Sequence, residues 1–317
     1  MTDSNQNKKR TWIERIPGIG IICALLSGLF LSFIAIFTKI LSSDLHPTQI
    51  SLSRCYVQFL TLLPLLQYKS NEVDITGPKH LKHLLWARGF VGSGGMILLF
   101  ISIGKLSAGN AVTISYLRLI MVPFLARLLL KESLTIFDGF FAILSMIGVV
   151  LIAKPSFLFY DENEQEDENI IGVLYGISAA SLTSLSVIII RKLGRQTYPM
   201  LHVLYYAFCG SITTTIVLMA LGEFQYPCWK DLPMLFSVGL LGNLGQYFVT
   251  VALHYERAGT VVVLRSAQII MVYILQVTIL EDIPSYLSLI GAAFVLSTSI
   301  GIGLRKVINS RKKKMVS

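Results

Sequence analysis

Charge is what this chain has least of. Only 14% of its 317 residues are Asp, Glu, Lys or Arg, against about 25% in a soluble domain. That supply is too small to cover the water-facing surface of a protein this size. Cysteine is sparse as well: Cys23, Cys55 and Cys209 fall inside apolar runs and Cys228 outside them. This argues against a disulfide framework, and no Cys/His pair has metal-ligand spacing. The signatures of catalysis are missing too. Gly104-Lys105 is followed by Leu106 rather than Ser or Thr, so there is no P-loop. No G-x-S-x-G, H-E-x-x-H or paired C-x-x-C occurs. An ATP-driven pump or a membrane hydrolase lacks its chemistry here, so no enzyme and no cofactor is expected.

What is present is hydrophobic: 54% of the residues, gathered in long blocks. Blocks of about 20 apolar residues read as membrane spans. Ten candidate helices follow, at 18–41, 47–67, 84–104, 108–130, 134–153, 170–190, 199–220, 232–254, 259–280 and 284–304. The expected fold class is an all-α polytopic membrane protein in a lipid bilayer. Very short connections force neighbouring helices into antiparallel hairpins, and an even count puts both termini on one side.

The net charge of +9 would suit a nucleic-acid partner, but the basic residues lie in tails and short loops, so none is expected. Lys8, Lys9, Arg10 and Arg15 precede the first span, and Arg305, Lys306, Arg311, Lys312, Lys313 and Lys314 follow the last. The positive-inside rule makes both tails cytoplasmic. Arg127, Lys131, Arg191, Lys192, Arg195 and Arg257 then fall on the same side. The opposite side holds the acidic stretch 161–168, which lacks the turn glycine of an EF-hand loop. Trp12, Trp86 and Trp229 lie near span ends, as interfacial aromatics do. The plasma membrane and the endoplasmic reticulum or Golgi are both compatible destinations.

The two halves match each other. A shift of 150 carries Ala108-Gly109 onto Ala258-Gly259, Ile120-Met121-Val122 onto Ile270-Met271-Val272, and Gly92 and Gly95 onto Gly242 and Gly245. Earlier in each half a shift of 152 carries Lys39 onto Arg191 and Gly20, Ala24, Gly28 and Ser32 onto Gly172, Gly176, Ala180 and Ser184. A small residue every fourth position lets helices approach closely. The expected organisation is a cytoplasmic N-tail (1–17), a first five-helix repeat (18–155), an acidic extracytoplasmic loop (156–169), a second repeat (170–305) and a basic C-tail (306–317). Five is odd, so the second repeat runs inverted, the plan of many secondary transporters; a duplicated structural bundle is the blander alternative.

The residues of these repeats also resemble a known family. Two five-helix units, each with an Ala-Gly helix, an acidic turn (Glu132, Asp282) and a Gly-containing last helix, resemble the EamA-type drug/metabolite transporters. Arg88-Gly89-Phe90, Met96-Ile97-Leu98-Leu99, Gly148-Val149-Val150-Leu151-Ile152, Pro155-Ser156-Phe157-Leu158-Phe159 and Ser53-Arg54-Cys55-Tyr56-Val57-Gln58-Phe59 are similar to the G-type members of solute carrier family 35. The resemblance implies a ten-helix carrier without fixing its substrate. Because some such relatives act as regulatory partners in calcium homeostasis, it also leaves a non-transporting regulator with a membrane-protein partner open, as it leaves a nucleotide-sugar exchanger of the secretory pathway.

Ionisable residues inside a span are costly and default to a functional reading. Here they are cationic: Arg118 mid-way along the fourth helix, Arg265 in the ninth, Arg54 in the second. Lys39 and Arg88 lie near span ends, where a snorkelling role is expected. No carboxylate shares the depth of the arginines. A guanidinium fork suits carboxylate or phosphate, so the expected partner is a small anionic metabolite. Helical spacing adds polar faces: Gln268 and Gln276 beside Arg265; Asn243, Gln246, Thr250 and His254, with Tyr247; His202, Tyr206, Cys209 and Thr213; and Ser115 with Tyr116 beside Arg118. Any one such face can equally hold helices together. The candidate substrate-binding set is Arg118, Arg265, Gln268, Gln246, Tyr247, Asn243, Ser115, Tyr116 and Arg54. The expected activity is secondary transport of a small organic anion by alternating access; a homodimer is left open.

Overall fold

The computed structural model describes residues 18–68, 77–106, 108–131, 136–153, 166–222, 224–281 and part of 286–301. Both tails, Trp12, Glu132, Asp282 and residues 154–165, with most of the acidic stretch, lie outside them.

The described residues are helical, with no strand among them. The elements are α1 (Ile19–Leu41), α2 (Pro47–Tyr68), α3 (Lys82–Lys105), α4 (Ala108–Ser115), α5 (Arg118–Leu130), α6 (Ile136–Ala153), α7 (Glu166–Leu193), α8 (Pro199–Leu221), α9 (Leu232–Tyr255), α10 (Ala258–Arg265) and α11 (Ala267–Leu280). The described residues between 286 and 301 are helical as well. Among the described residues, six segments are long and apolar enough to cross a membrane: Ile19–Leu41, Lys79–Lys105, Ile171–Leu193, Pro199–Leu221, Leu232–Tyr255 and Ala258–Leu280. Large apolar side chains stand exposed along several helices, among them Leu60, Phe124, Leu128, Phe140 and Ile216. Water would not tolerate that much uncovered surface, whereas lipid does. Cys23, Cys55, Cys209 and Cys228 are all free thiols.

The helices expected as continuous over 108–130 and 259–280 are each broken. The chain leaves α4 at Ser115 and enters α5 at Arg118; it leaves α10 at Arg265 and enters α11 at Ala267. At the first break Leu117 N–H donates to Ile114 O at 3.0 Å and Leu119 N–H to Tyr116 O at 2.8 Å, a tighter winding than the α-helix. At the second, Ile269 N–H donates to Ser266 O at 3.0 Å. The local cause is legible. Val112-Thr113-Ile114 and Val261-Val262-Val263 are β-branched runs that fit a helix poorly. Each is followed by a serine that bonds back three residues, Ser115 Oγ to Val112 O and Ser266 Oγ to Val263 O, both at 2.6 Å, and such bonds bend helices.

The small-residue ridges do what their spacing implies. α1 packs along α9 and α7 along α3, and the contacts exchange between halves. A Cβ on Gly20 would run into Glu256; one on Gly172 would stand 2.7 Å from Leu106 Cγ. A Cβ on Gly245 would press on Leu31 and Phe30, and one on Gly95 on Thr183 and Leu182. The basic residues at the helix ends follow the same rule. Lys39 Nζ donates to Leu106 O at 2.9 Å, and Arg191 Nη1 donates to Leu253 O at 2.8 Å. Both bind carbonyls at the end of a facing helix, which favours a cation.

Candidate functional site

Four arginines line one cavity. Arg54 comes from α2, Arg88 from α3, Arg118 from the start of α5 and Arg265 from the end of α10. They are 2–7% exposed. Two of them flank the helix breaks, Arg118 as the first residue of α5 and Arg265 as the last of α10. The cavity has a volume of about 90 Å³, smaller than the roughly 300–1,000 Å³ of sites for drug-sized ligands. Its polar wall is completed by Gln246, Tyr206, Thr183 and Ser186; its apolar wall includes Leu31, Met96, Leu99 and Val249. No Asp or Glu is among the described residues that line it.

Three of the four guanidiniums are held against an aromatic face, and one of these also against an amide. Arg118 lies 3.9 Å over the Tyr116 ring, Arg88 4.8 Å over Tyr206 and Arg54 5.6 Å from the Phe100 centroid. Arg88 Nη2 donates to Gln246 Oε1 at 2.8 Å. These contacts place the cations, worth about 0.5–2 kcal/mol each for the ring pairs, yet leave Nε of all four arginines buried and without a partner. A polar group in that position is normally bonded. Positive charge is thus gathered in a low-dielectric space, with part of its donor capacity unmet.

Of the residues the sequence nominates, Arg54, Arg118, Arg265 and Gln246 meet at this cavity. The other five do not line it. Tyr116 and Gln268 form a layer behind it: Tyr116 is fully buried, and its hydroxyl bridges Arg265 O at 2.6 Å and Gln268 Oε1 at 2.9 Å. Ser115 turns back on its own helix. Asn243 Nδ2 donates to Thr61 Oγ1 at 2.7 Å, a bond between α9 and α2. Tyr247 packs on Phe248 with ring centroids 5.7 Å apart. On α8 only Tyr206 of the expected polar face reaches the cavity; His202 lies 2.6 Å from Thr197 Oγ1, and its ring meets that of His254 at 5.5 Å.

Arg88 was expected to snorkel and does not. Glycine explains its place: Gly92, one turn along α3, also lines the cavity, and a Cβ there would collide with Arg88 Nη1. The spacing Arg-x-x-x-Gly was the available signal.

The EamA-like transporter family matches the chain twice, over residues 18–154 and 170–304. The chain belongs to that family. It is 31% identical over 301 residues to solute carrier family 35 member G1 of Mus musculus, covering 93% of this chain and 81% of that one. It is 20% identical to the pseudopaline exporter CntI of Pseudomonas aeruginosa, over 90% of this chain and 96% of the exporter. A crystal structure shares the fold with a TM-score of 0.71 at 15% identity, covering 88% of this chain and 94% of its own. The family and the apolar helices together make this a multi-pass membrane protein of transporter type.

Proposed function

We propose that the chain is a secondary carrier for a small organic anion, a di- or tricarboxylate or a phosphorylated metabolite. The observation that carries this reading is the convergence of Arg54, Arg88, Arg118 and Arg265 on one cavity whose lining holds no acid. Arg118 and Arg265 neutralise the anion, and Gln246, fixed by Arg88, orients it. The cavity volume favours a small metabolite over a nucleotide sugar.

The mechanism is alternating access between two inverted five-helix repeats, ten membrane helices in all. Support comes from the exchanged contacts, Gly20 on Glu256 against Gly172 on Leu106 and Lys39 on Leu106 against Arg191 on Leu253, and from two helix breaks 150 residues apart. Broken helices at the binding site are a common device of such carriers, because the half-helix ends and freed backbone groups take part in binding. Both termini are cytoplasmic in this reading, which the distribution of Lys and Arg supports.

Uptake of a labelled panel of mono-, di- and tricarboxylates and phosphorylated metabolites into proteoliposomes tests the proposal. The wild type accumulates at least one multiply charged anion without ATP. An Arg118→Ala/Arg265→Ala variant that still folds loses that uptake; normal uptake by it would overturn the site assignment.

A further inference from the structure

Gln58 of α2 is fully buried, and neither its Oε1 nor its Nε2 has a hydrogen-bond partner. A side-chain amide with both ends unmet is rare in a folded protein and costly. One turn before it on α2 stands Arg54, whose Nε and Nη2 are likewise buried and unpartnered. Those two atoms form the edge of a guanidinium that grips a carboxylate or phosphate side-on.

Both residues face Gly242 of α9. The point where a Cβ would stand on Gly242 is 2.7 Å from Arg54 Nε and 2.7 Å from Gln58 Nε2. Two donors of α2 thus converge against a residue without a side chain. Asn243, the next residue, is fixed through its Nδ2 to Thr61, and its Oδ1 is unpartnered. Arg54 is at the same time a wall of the central cavity.

We infer that Arg54, at the cavity wall, and Gln58 behind it form a second anion subsite that receives a second acid group of the substrate, carboxylate or phosphate. The inference rests on the carrier reading and deepens it: the substrate carries at least two acid groups. Arg118 and Arg265 hold the first; the side-on edge of Arg54 and Gln58 Nε2 hold the second. The edge is shut off from solvent in this conformation, so the acid group enters as Gln58 rotates. That rotation breaks no hydrogen bond, because the amide makes none.

The test compares binding of acetate, succinate and inorganic phosphate to the purified full-length protein in detergent micelles. Wild type is expected to bind succinate at least tenfold tighter than acetate. In Gln58→Leu, which keeps the volume and removes both unmet polar atoms, that preference shrinks at least fivefold. Gly242→Ala, which pushes both donors aside, shrinks it independently should the Leu variant fail to fold. Folded variants that keep the full preference overturn the subsite, as does a wild type that binds acetate and succinate equally. A wild type that binds none of the three overturns the carrier reading itself.

Discussion

Tyr116 and Arg265 are joined across the two broken helices: the Tyr116 hydroxyl donates to the Arg265 carbonyl at 2.6 Å. That carbonyl belongs to the last residue of α10, where the break deprives it of its regular helical partner. The Tyr116 ring meanwhile supports Arg118 at 3.9 Å. One side chain thereby ties both breaks together and sets the positions of two cavity arginines, one directly and one through its backbone.

Tyr116→Phe isolates the first of these roles. It keeps the ring under Arg118 and leaves Arg265 O without its buried donor, which costs about 1–3 kcal/mol. A lower melting temperature in detergent, with slower anion uptake, is the expected outcome.

Arg88→Lys separates charge from shape. Lysine keeps the positive charge but has no planar fork to reach Gln246 while stacking on Tyr206. The KM for the transported anion is expected to rise about tenfold, equivalent to about 1.4 kcal/mol, with a smaller change in maximal rate. Initial uptake rates over a range of anion concentrations measure this.

Two glycine-to-alanine changes should move in opposite directions. Gly92→Ala drives the Arg88 guanidinium off its seat and crowds Ser186 Oγ at 3.0 Å, so uptake falls. Gly139 has nothing within 4 Å of a Cβ and lies within α6. Alanine there stabilises the helix by about 0.5–1 kcal/mol and leaves uptake intact. Melting temperature and uptake, measured on both variants, distinguish the two behaviours.

Lys39→Met and Arg191→Met remove the cations from the carbonyls of Leu106 and Leu253. Hydrogen bonds to charged groups contribute about 1.5–3 kcal/mol, so each variant is destabilised by an amount of that order and melts lower than wild type. Neither residue lines the cavity, and the order of preference among transported anions is expected to stay that of the wild type.

The membrane class and most helix positions are legible in the sequence because they depend on local composition. A run of some 20 apolar residues has no other stable home, and the helix observed over Lys82–Lys105 differs little from the 84–104 that hydropathy implies. The cationic character of the site is legible for the same reason: Arg54, Arg118 and Arg265 interrupt apolar runs with no acid in register. The breaks at 116–117 and 266 were written in the β-branched runs and back-bonding serines, but hydropathy averages over them.

What the sequence by itself determined is therefore which segments enter the bilayer and that the polar residues within them are basic. Tertiary structure alone decided which of those residues meet. Distance from a span end argued that Arg88 would reach for the interface; instead it is 2% exposed and bonds to Gln246, 158 residues away. Gln268 and Ser115 share helical faces with the arginines yet turn away from the cavity. Gln58 carries no signal in the linear chain, because its anomaly is an absence of partners. The physical reason is common to all three: a helix periodicity states which side chains share a face, whereas the neighbouring helix, here through Gly92, Gly242 and Tyr116, decides where each polar atom ends.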